Sequence, residues 1–227
     1  MKGLTSGIEY LFKKNKVDYV KGWATFKTSN EIEVKDNAGA TSTVRAKNFI
    51  IATGSEPSPL PGNSIPIDEK RVISSTGALS LKEIPKTMIV IGGGVIGLEM
   101  GSVYARLGTN VKIVEYQDKI LGTMDGEISK NFLQILKKQG MEFMLSTKVT
   151  GGQVSSTGVS VNLETVKGDK LPALTAEYVL VSTGRRPYTN NLGLNNIGIQ
   201  TDKFGRIPID GHLKTSVKNI YAIGDVV

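Results

Sequence analysis

The most regular pattern in the chain lies at residues 87–115, TMIVIGGGVIGLEMGSVYARLGTNVKIVE. An apolar run, a glycine cluster, a helical stripe and a second apolar run follow one another there. Residues 88–91 predict a short buried strand. Ile96, Met100, Val103 and Leu107 recur at helical spacing and predict the inward face of a helix, with Gly108 as its stop. Residues 111–114 resume a strand, with Glu115 at its carboxyl end. A second amphipathic helix is predicted over 125–139, with Ile128, Phe132, Ile135 and Leu136 inward and Gly140 after it. Its acids stand at the start and its lysines at the end, as the helix dipole favours. Residues 141–145 predict a third strand. Residues 149–154 and 159–166 predict an antiparallel excursion, because Val159, Val161 and Leu163 alternate with polar positions. Residues 178–181 predict a buried strand that runs into STGRRP.

Before this core the pattern is different. Leu4, Ile8, Leu11 and Phe12 predict a helix over the first 16 residues, and residues 17–21 read as a strand. Short strands are predicted at 25–26, 32–34 and 44–45, with Asp36-Asn37-Ala38-Gly39 as the turn between the last two, which makes a small antiparallel meander. NFIIATGS at 48–55 predicts a buried strand that delivers its end to a ligand or to another element. Prolines at 57, 59, 61 and 66 mark an irregular crossover, and residues 74–81 suggest a short helical turn. Near the end, NIYAIGD at 219–225 is a strand closing on Gly224-Asp225. Asp225 can accept from sugar or polyol hydroxyls, or it can cap a helix that follows. Strands alternating with helices place the chain in the α/β class. A Rossmann-like βαβ domain with a parallel sheet and an antiparallel excursion stands beside a small antiparallel β-meander.

Gly92, Gly94 and Gly97 form G-x-G-x-x-G with a strand before, a helix after and a second strand beyond. The first glycine permits the tight turn, the second lets a diphosphate approach the backbone, and the third lets the helix pack on the strand. The helix N-terminus offers free N–H groups and partial positive charge. This context distinguishes a dinucleotide site from an ordinary glycine-rich turn. Glu115 then selects the dinucleotide. Alone it would be a solvated acid at a strand end; after this motif, its carboxylate can accept from both ribose hydroxyls and would repel a 2′-phosphate. Tyr116, Gln117 and Asp118 supply no arginine to reverse that preference, so NAD(H) is expected over NADP(H).

Composition narrows the alternatives. The net charge is +7, but the lysines are scattered and no basic block is interleaved with aromatics, so nucleic-acid binding is not expected. There is no cysteine, which excludes a disulfide scaffold, a thiolate metal site and a dithiol centre within these residues. The single histidine, His212, reads as a surface residue, and no metal site is expected. No segment is long and apolar enough to span a membrane, and the first residues show no secretory pattern.

The runs IIATGSEP, STGALSL, IVIGGGVIGLEMGSVYARLG, EISKNF, LKKQG, TKVTG, TGRRP, NLGL, GRIPID and NIYAIGDVV together resemble the FAD-dependent pyridine nucleotide–disulfide oxidoreductases, and within them the dihydrolipoamide-oxidising branch. They follow family order over nearly the whole chain. The resemblance implies that residues 1–77 are the later part of an FAD-binding domain, 78–200 an NAD-binding domain, and 201–227 the return to the FAD-binding domain. It implies NAD contacts at Gly92, Gly93, Gly94, Val95, Ile96 and Gly97. It also implies an adenosine-ribose role for Glu115, a place beside the adenine for Val149 (otherwise a core valine) and a backbone contact near the nicotinamide for Gly184. Glu99 resembles the family glutamate near the nicotinamide; its ordinary role would be an acid in a helix's first turn. Ala24, Thr53, Gly54, Ser55 and Asp225 match FAD-contacting positions.

The family's N-terminal flavin fingerprint, its cysteine pair and its C-terminal His–Glu pair have no counterpart here, so the chain is expected to be the middle of such an enzyme, inactive by itself and bearing no catalytic residue. The implied parent is a homodimer in the mitochondrial matrix or bacterial cytoplasm. It would oxidise dihydrolipoamide on the lipoyl domain of acyltransferase subunits, as the E3 component of 2-oxo acid dehydrogenase complexes. The alternatives are another flavin disulfide reductase, a stand-alone NAD-binding or regulatory module, or an assembly subunit of a dehydrogenase complex.

Overall fold

The computed structural model describes residues 2–227. In chain order the elements are helix α1 (Lys2–Lys14), strands β1 (Trp23–Thr28), β2 (Glu31–Lys35), β3 (Thr41–Arg45), β4 (Phe49–Ile51), β5 (Ser55–Pro57) and β6 (Val72–Ile73), and helix α2 (Ser75–Ala78). Strand β7 (Thr87–Ile91), helix α3 (Val95–Arg106), strand β8 (Asn110–Val114), helix α4 (Gly126–Lys138) and strand β9 (Glu142–Met144) follow. Strands β10 (Thr147–Val154), β11 (Val159–Thr165), β12 (Lys170–Ala176), β13 (Tyr178–Val181), β14 (Arg185–Pro187) and β15 (Ile220–Ala222) complete the chain. Among the described residues no helix is long and apolar enough to cross a membrane.

The elements form two compact units, one made of residues up to Ser55 together with Pro187–Val227, the other of Glu56–Arg186. The family resemblance set boundaries near residues 77 and 200. Compactness draws residues 56–77 to the second unit because β6 pairs in parallel with β13.

The second unit is built on a five-stranded sheet in the order β6-β13-β7-β8-β9, parallel throughout. Both faces are covered, which explains why β7 and β13 are near-continuous apolar runs rather than alternating ones. One core joins Ile89, Ile91, Val179 and Val181 to the inward residues of the β10-β11-β12 sheet. The other joins Met88, Val90, Val111 and Ile113 to Leu98, Tyr104 and Leu136 of the helices. The chain enters this sheet at the edge strand β6, crosses to β7, moves outward through β8 and β9, makes the antiparallel excursion and returns as β13 between β6 and β7. The strand order therefore reverses between β7 and β13, where open α/β sheets bind ligands.

Two helix faces differ from the sequence expectation. In α3 the buried residues are Gly97, Leu98, Gly101 and Tyr104, while Val103 and Leu107 are exposed. Two glycines on one face bring the helix close to the sheet, and that close approach selects small residues over large apolar ones. In α4, Asp125 caps the N-terminus through the Glu127 and Ile128 amides; Ser129 and Leu136 are buried and Phe132 packs beside them, but Ile128 and Ile135 are exposed. The expected two-stranded excursion has a third strand, β12, paired with β11.

In the first unit the meander β1-β2-β3 forms as expected, and the Asp36 carboxylate holds its turn through the Ala38 and Ala40 amides. Residues 17–21 are not a strand, and Val17, Tyr19 and Val20 are exposed. Of residues 48–55 only Phe49–Ile51 extend as strand β4 within the run, and β4 pairs in parallel with β15. Their shared core holds Phe26, Ile51, Ile207, Ile220 and Val226.

A Cβ added at Gly97 would lie 2.2 Å from the Gly92 carbonyl oxygen and 2.5 Å from Ser182 Oγ. Gly97→Ala is therefore expected to cost about 3 kcal/mol, the upper range for overpacking, because the nearest obstacle is backbone. Chemical denaturation checks this; an unchanged midpoint would contradict the packing.

Candidate functional site

The glycine turn joins the carboxyl end of β7 to α3. Gly92 has φ +110, and a Cβ there would lie 2.5 Å from the Ser182 carbonyl oxygen, so glycine is demanded by conformation and by the neighbouring strand alike. Ser182 braces this approach: its amide and hydroxyl both donate to the Ile91 carbonyl, at 2.8 and 3.0 Å. Gly94 is different. Its φ is −79, which any residue adopts, and a Cβ there would meet nothing within 4 Å. The fold does not require glycine at this position; the room it leaves lies at the N-terminus of α3, which has no side-chain cap. The first helical N–H groups there are unsatisfied by the helix itself, so an uncapped, open turn of this kind fits a diphosphate.

Glu115 follows β8 and is half-buried. One carboxylate oxygen accepts from the Gly93 amide at 2.5 Å, the other from the Gln117 amide at 2.7 Å. The two backbone donors fix the carboxylate beside the glycine turn. Each oxygen retains accepting capacity, so two adjacent hydroxyls can be held together.

Two hollows meet at this residue. The first, about 400 Å³, is lined by Gly92, Gly93, Gly94, Val95, Ile96 and Glu115, and Gly184 and Thr183 border it from the end of β13. The second, about 300 Å³, is more apolar, with Leu60, Pro61, Ile91, Val114 and Val149 around Glu115. Val149 packs on the core as well as bordering this hollow. Gly97 lies beneath the turn as packing. Glu99 is exposed on α3 and borders neither hollow; the first turn of α3 carries no acid, so it is not a first-turn residue either.

Sequence reasoning missed Gln117, Ser182, Thr183 and Lys148, all at or beside these hollows. Ser182 and Thr183 immediately follow a buried strand, and that position was the available signal.

The first unit brings together the remaining candidates. The Ser55 hydroxyl donates to the Asp225 carboxylate at 2.6 Å, and Gly54 has φ +70 with open space beside it. Asp225 lies inside a final 3-10 turn, Gly224–Val226. The Thr53 hydroxyl donates to the Tyr188 carbonyl at 2.7 Å. Thr53 and Ala24 border a hollow of about 340 Å³ whose rim also includes Trp23 and Tyr188, two rings that pack on one another with centroids 6.3 Å apart.

Because Gly94 is open, Gly94→Val should cost no more than about 2 kcal/mol of stability, the upper range for replacing a favoured N-cap residue by an apolar one. The same change should weaken NADH binding at least about tenfold, since 1.4 kcal/mol of lost contact suffices. Denaturation and calorimetric titration of one variant separate the two. A loss of folding without a specific loss of binding would contradict the assignment of that space to a ligand.

Comparison with known proteins gives the family. The family model for pyridine nucleotide-disulphide oxidoreductase matches residues 1–227. The chain is 53% identical over 224 residues to a dihydrolipoamide dehydrogenase of Chaetomium thermophilum, covering 98% of this chain and 44% of that protein. It is 52% identical over 227 residues to the mitochondrial dihydrolipoyl dehydrogenase 1 of Arabidopsis thaliana, covering 100% of this chain and 44% of that protein. Among solved structures, a Cu(II) complex of the HOCl-induced flavoprotein disulfide reductase of Escherichia coli superposes with a TM-score of 0.82 at 28% identity, over 98% of this chain and 50% of that one. The chain spans less than half the length of these curated relatives. A match along all of its residues, on a glycine turn and acid of this geometry, gives the classification: the chain belongs to the pyridine nucleotide-disulphide oxidoreductases.

Proposed function

We propose that these residues are the NAD-binding part, with a portion of the FAD-binding part, of a dihydrolipoamide dehydrogenase. The observation that carries this reading is the Glu115 carboxylate fixed on the Gly93 and Gln117 amides beside an open Gly94. The N-terminus of α3 holds the diphosphate of NAD, Glu115 holds the adenosine ribose, and Val149 with Leu60 and Val114 encloses the adenine. Gly184, at the end of β13, and Glu99 flank the nicotinamide. In the other unit Ala24, Thr53, Gly54, Ser55 and Asp225 contact FAD, with the Ser55–Asp225 pair presenting oxygen acceptors to its hydroxyls. The domain division at residues 77 and 200 belongs to the same reading. When bound, flavin and nicotinamide supply the hydride chemistry.

In this assignment the residues here bind and orient. The parent enzyme would oxidise dihydrolipoamide on lipoyl domains of 2-oxo acid dehydrogenase complexes as a homodimer. The mitochondrial relatives of Arabidopsis thaliana and Pisum sativum favour the mitochondrial matrix over bacterial cytoplasm. The flavoprotein disulfide reductase among the structural neighbours keeps a second reading in view, a reductase of another disulfide on the same nucleotide frame.

The reading predicts lipoamide-dependent NADH production by the intact protein and none by these 227 residues alone, which contain no cysteine. Activity of the isolated segment would contradict it. It also predicts a preference for NADH over NADPH that Glu115→Gln narrows about tenfold, roughly 1.4 kcal/mol, by removing like-charge repulsion of the 2′-phosphate. Equal affinity of the unaltered protein for the two nucleotides would overturn the role of Glu115.

A further inference from the structure

The nucleotide preference assigned to Glu115 is a matter of local charge, and Glu115 is not the only charge beside the adenosine hollow. Lys148, on β10, borders the same hollow, and among the described residues lining it Lys148 is the one basic side chain. It stands close to Glu115 along the backbone, since the amide of its neighbour Thr147 donates to the Glu115 carbonyl at 2.9 Å. A lysine side chain is long and flexible, so the charges around it decide which partner its ammonium takes.

Its ammonium is engaged elsewhere. Lys148 and Glu164 are directly opposed in the β10–β11 ladder, and Nζ lies 3.1 Å from Glu164 Oε2. Glu164 borders neither hollow. Side chains directly opposed on an antiparallel pair interact by register alone, so the ladder aims Lys148 at Glu164 before any nucleotide arrives.

We propose that Glu164 is a specificity-determining residue of the nucleotide site, acting by holding the Lys148 ammonium away from the 2′ position of the adenosine ribose. This rests on the placement of NAD proposed above. With the pair formed, the lysine charge is compensated and the hollow presents the single negative charge of Glu115. A 2′-hydroxyl is accepted there and a 2′-phosphate is repelled. Without Glu164 the ammonium is free to swing toward the hollow, offset Glu115 and attract the phosphate. Specificity is a difference of two affinities, and the pair keeps the disfavoured one low without touching the ligand.

The pair is partly exposed, with side-chain exposures of 41% and 25%, and such pairs add little to folding. Glu164→Gln is therefore expected to fold. The experiment is calorimetric titration of NADH and NADPH into the intact protein, the Glu164→Gln variant and the Glu164→Gln, Lys148→Met double variant. The single variant should raise the NADPH-to-NADH affinity ratio about three- to tenfold, as one screened charge at a site edge would, and the gain should shrink as salt is raised. The double variant should return the ratio to that of the unaltered protein. A ratio unchanged by Glu164→Gln overturns the proposal while leaving the NAD assignment intact. So does a gain that survives removal of Lys148. Absence of NADH binding to the unaltered protein overturns the NAD assignment itself, and this inference with it.

Discussion

Three stretches of backbone meet at the carboxyl ends of β7 and β13, closer than side chains would allow. Gly92 lies against the Ser182 carbonyl, and Gly97 lies against the carbonyl of Gly92. This approach anchors the start of α3 directly over the point where the strand order reverses. It also leaves the first amides of that helix pointing into open space at Gly94 rather than into protein. The nucleotide site proposed for this unit starts from that placement, because an uncapped helix N-terminus at a sheet switch point favours an anion.

The acid is governed by the same constraint. Glu115 would be a mobile strand-end carboxylate if the turn were not there to receive it. The Gly93 amide, exposed by the turn's tight course, takes one oxygen, and the Gln117 amide takes the other. The glycine turn and the Glu115 carboxylate are thus one hydrogen-bonded unit. The charge near it is adjusted further out, where the ladder between β10 and β11 pairs Lys148 with Glu164. In the proposed reading, packing fixes where the nucleotide lies and paired charges decide which nucleotide is preferred.

Much of this was legible in the residues. The glycine spacing, the flanking apolar runs and Glu115 encode local structure, and each formed where its pattern indicated. The inward faces of α3 and α4 were harder to read. Hydrophobic periodicity ranks Val103, Leu107, Ile128 and Ile135 as core, yet close helix-to-sheet packing buries Gly97, Gly101 and Ser129 instead. Small residues carry no hydropathy signal for that. Strand β12, KLPALTA, contains a proline and its residues are mostly exposed, so alternation there was weak; its existence depends on pairing with β11. Residues 17–21 had strand propensity but gained no ladder, and propensity without a partner does not make a strand. Lys148 could not be read as bordering a hollow beside the glycine turn because its place there is a tertiary fact set by strand register; Ser182 offered only its position after a buried strand, and Gln117 meets Glu115 through its backbone amide, which carries no side-chain signal.

In the proposed reading the Gly92–Gly97 turn and Glu115 together receive NAD. The most direct test is a crystal structure of the intact protein grown with NAD⁺. It should show the diphosphate on the α3 amides beside Gly94, both adenosine-ribose hydroxyls on the Glu115 carboxylate, and the adenine against Val149. Nucleotide density elsewhere, or a ribose that leaves Glu115 bound only to the Gly93 and Gln117 amides, would contradict it.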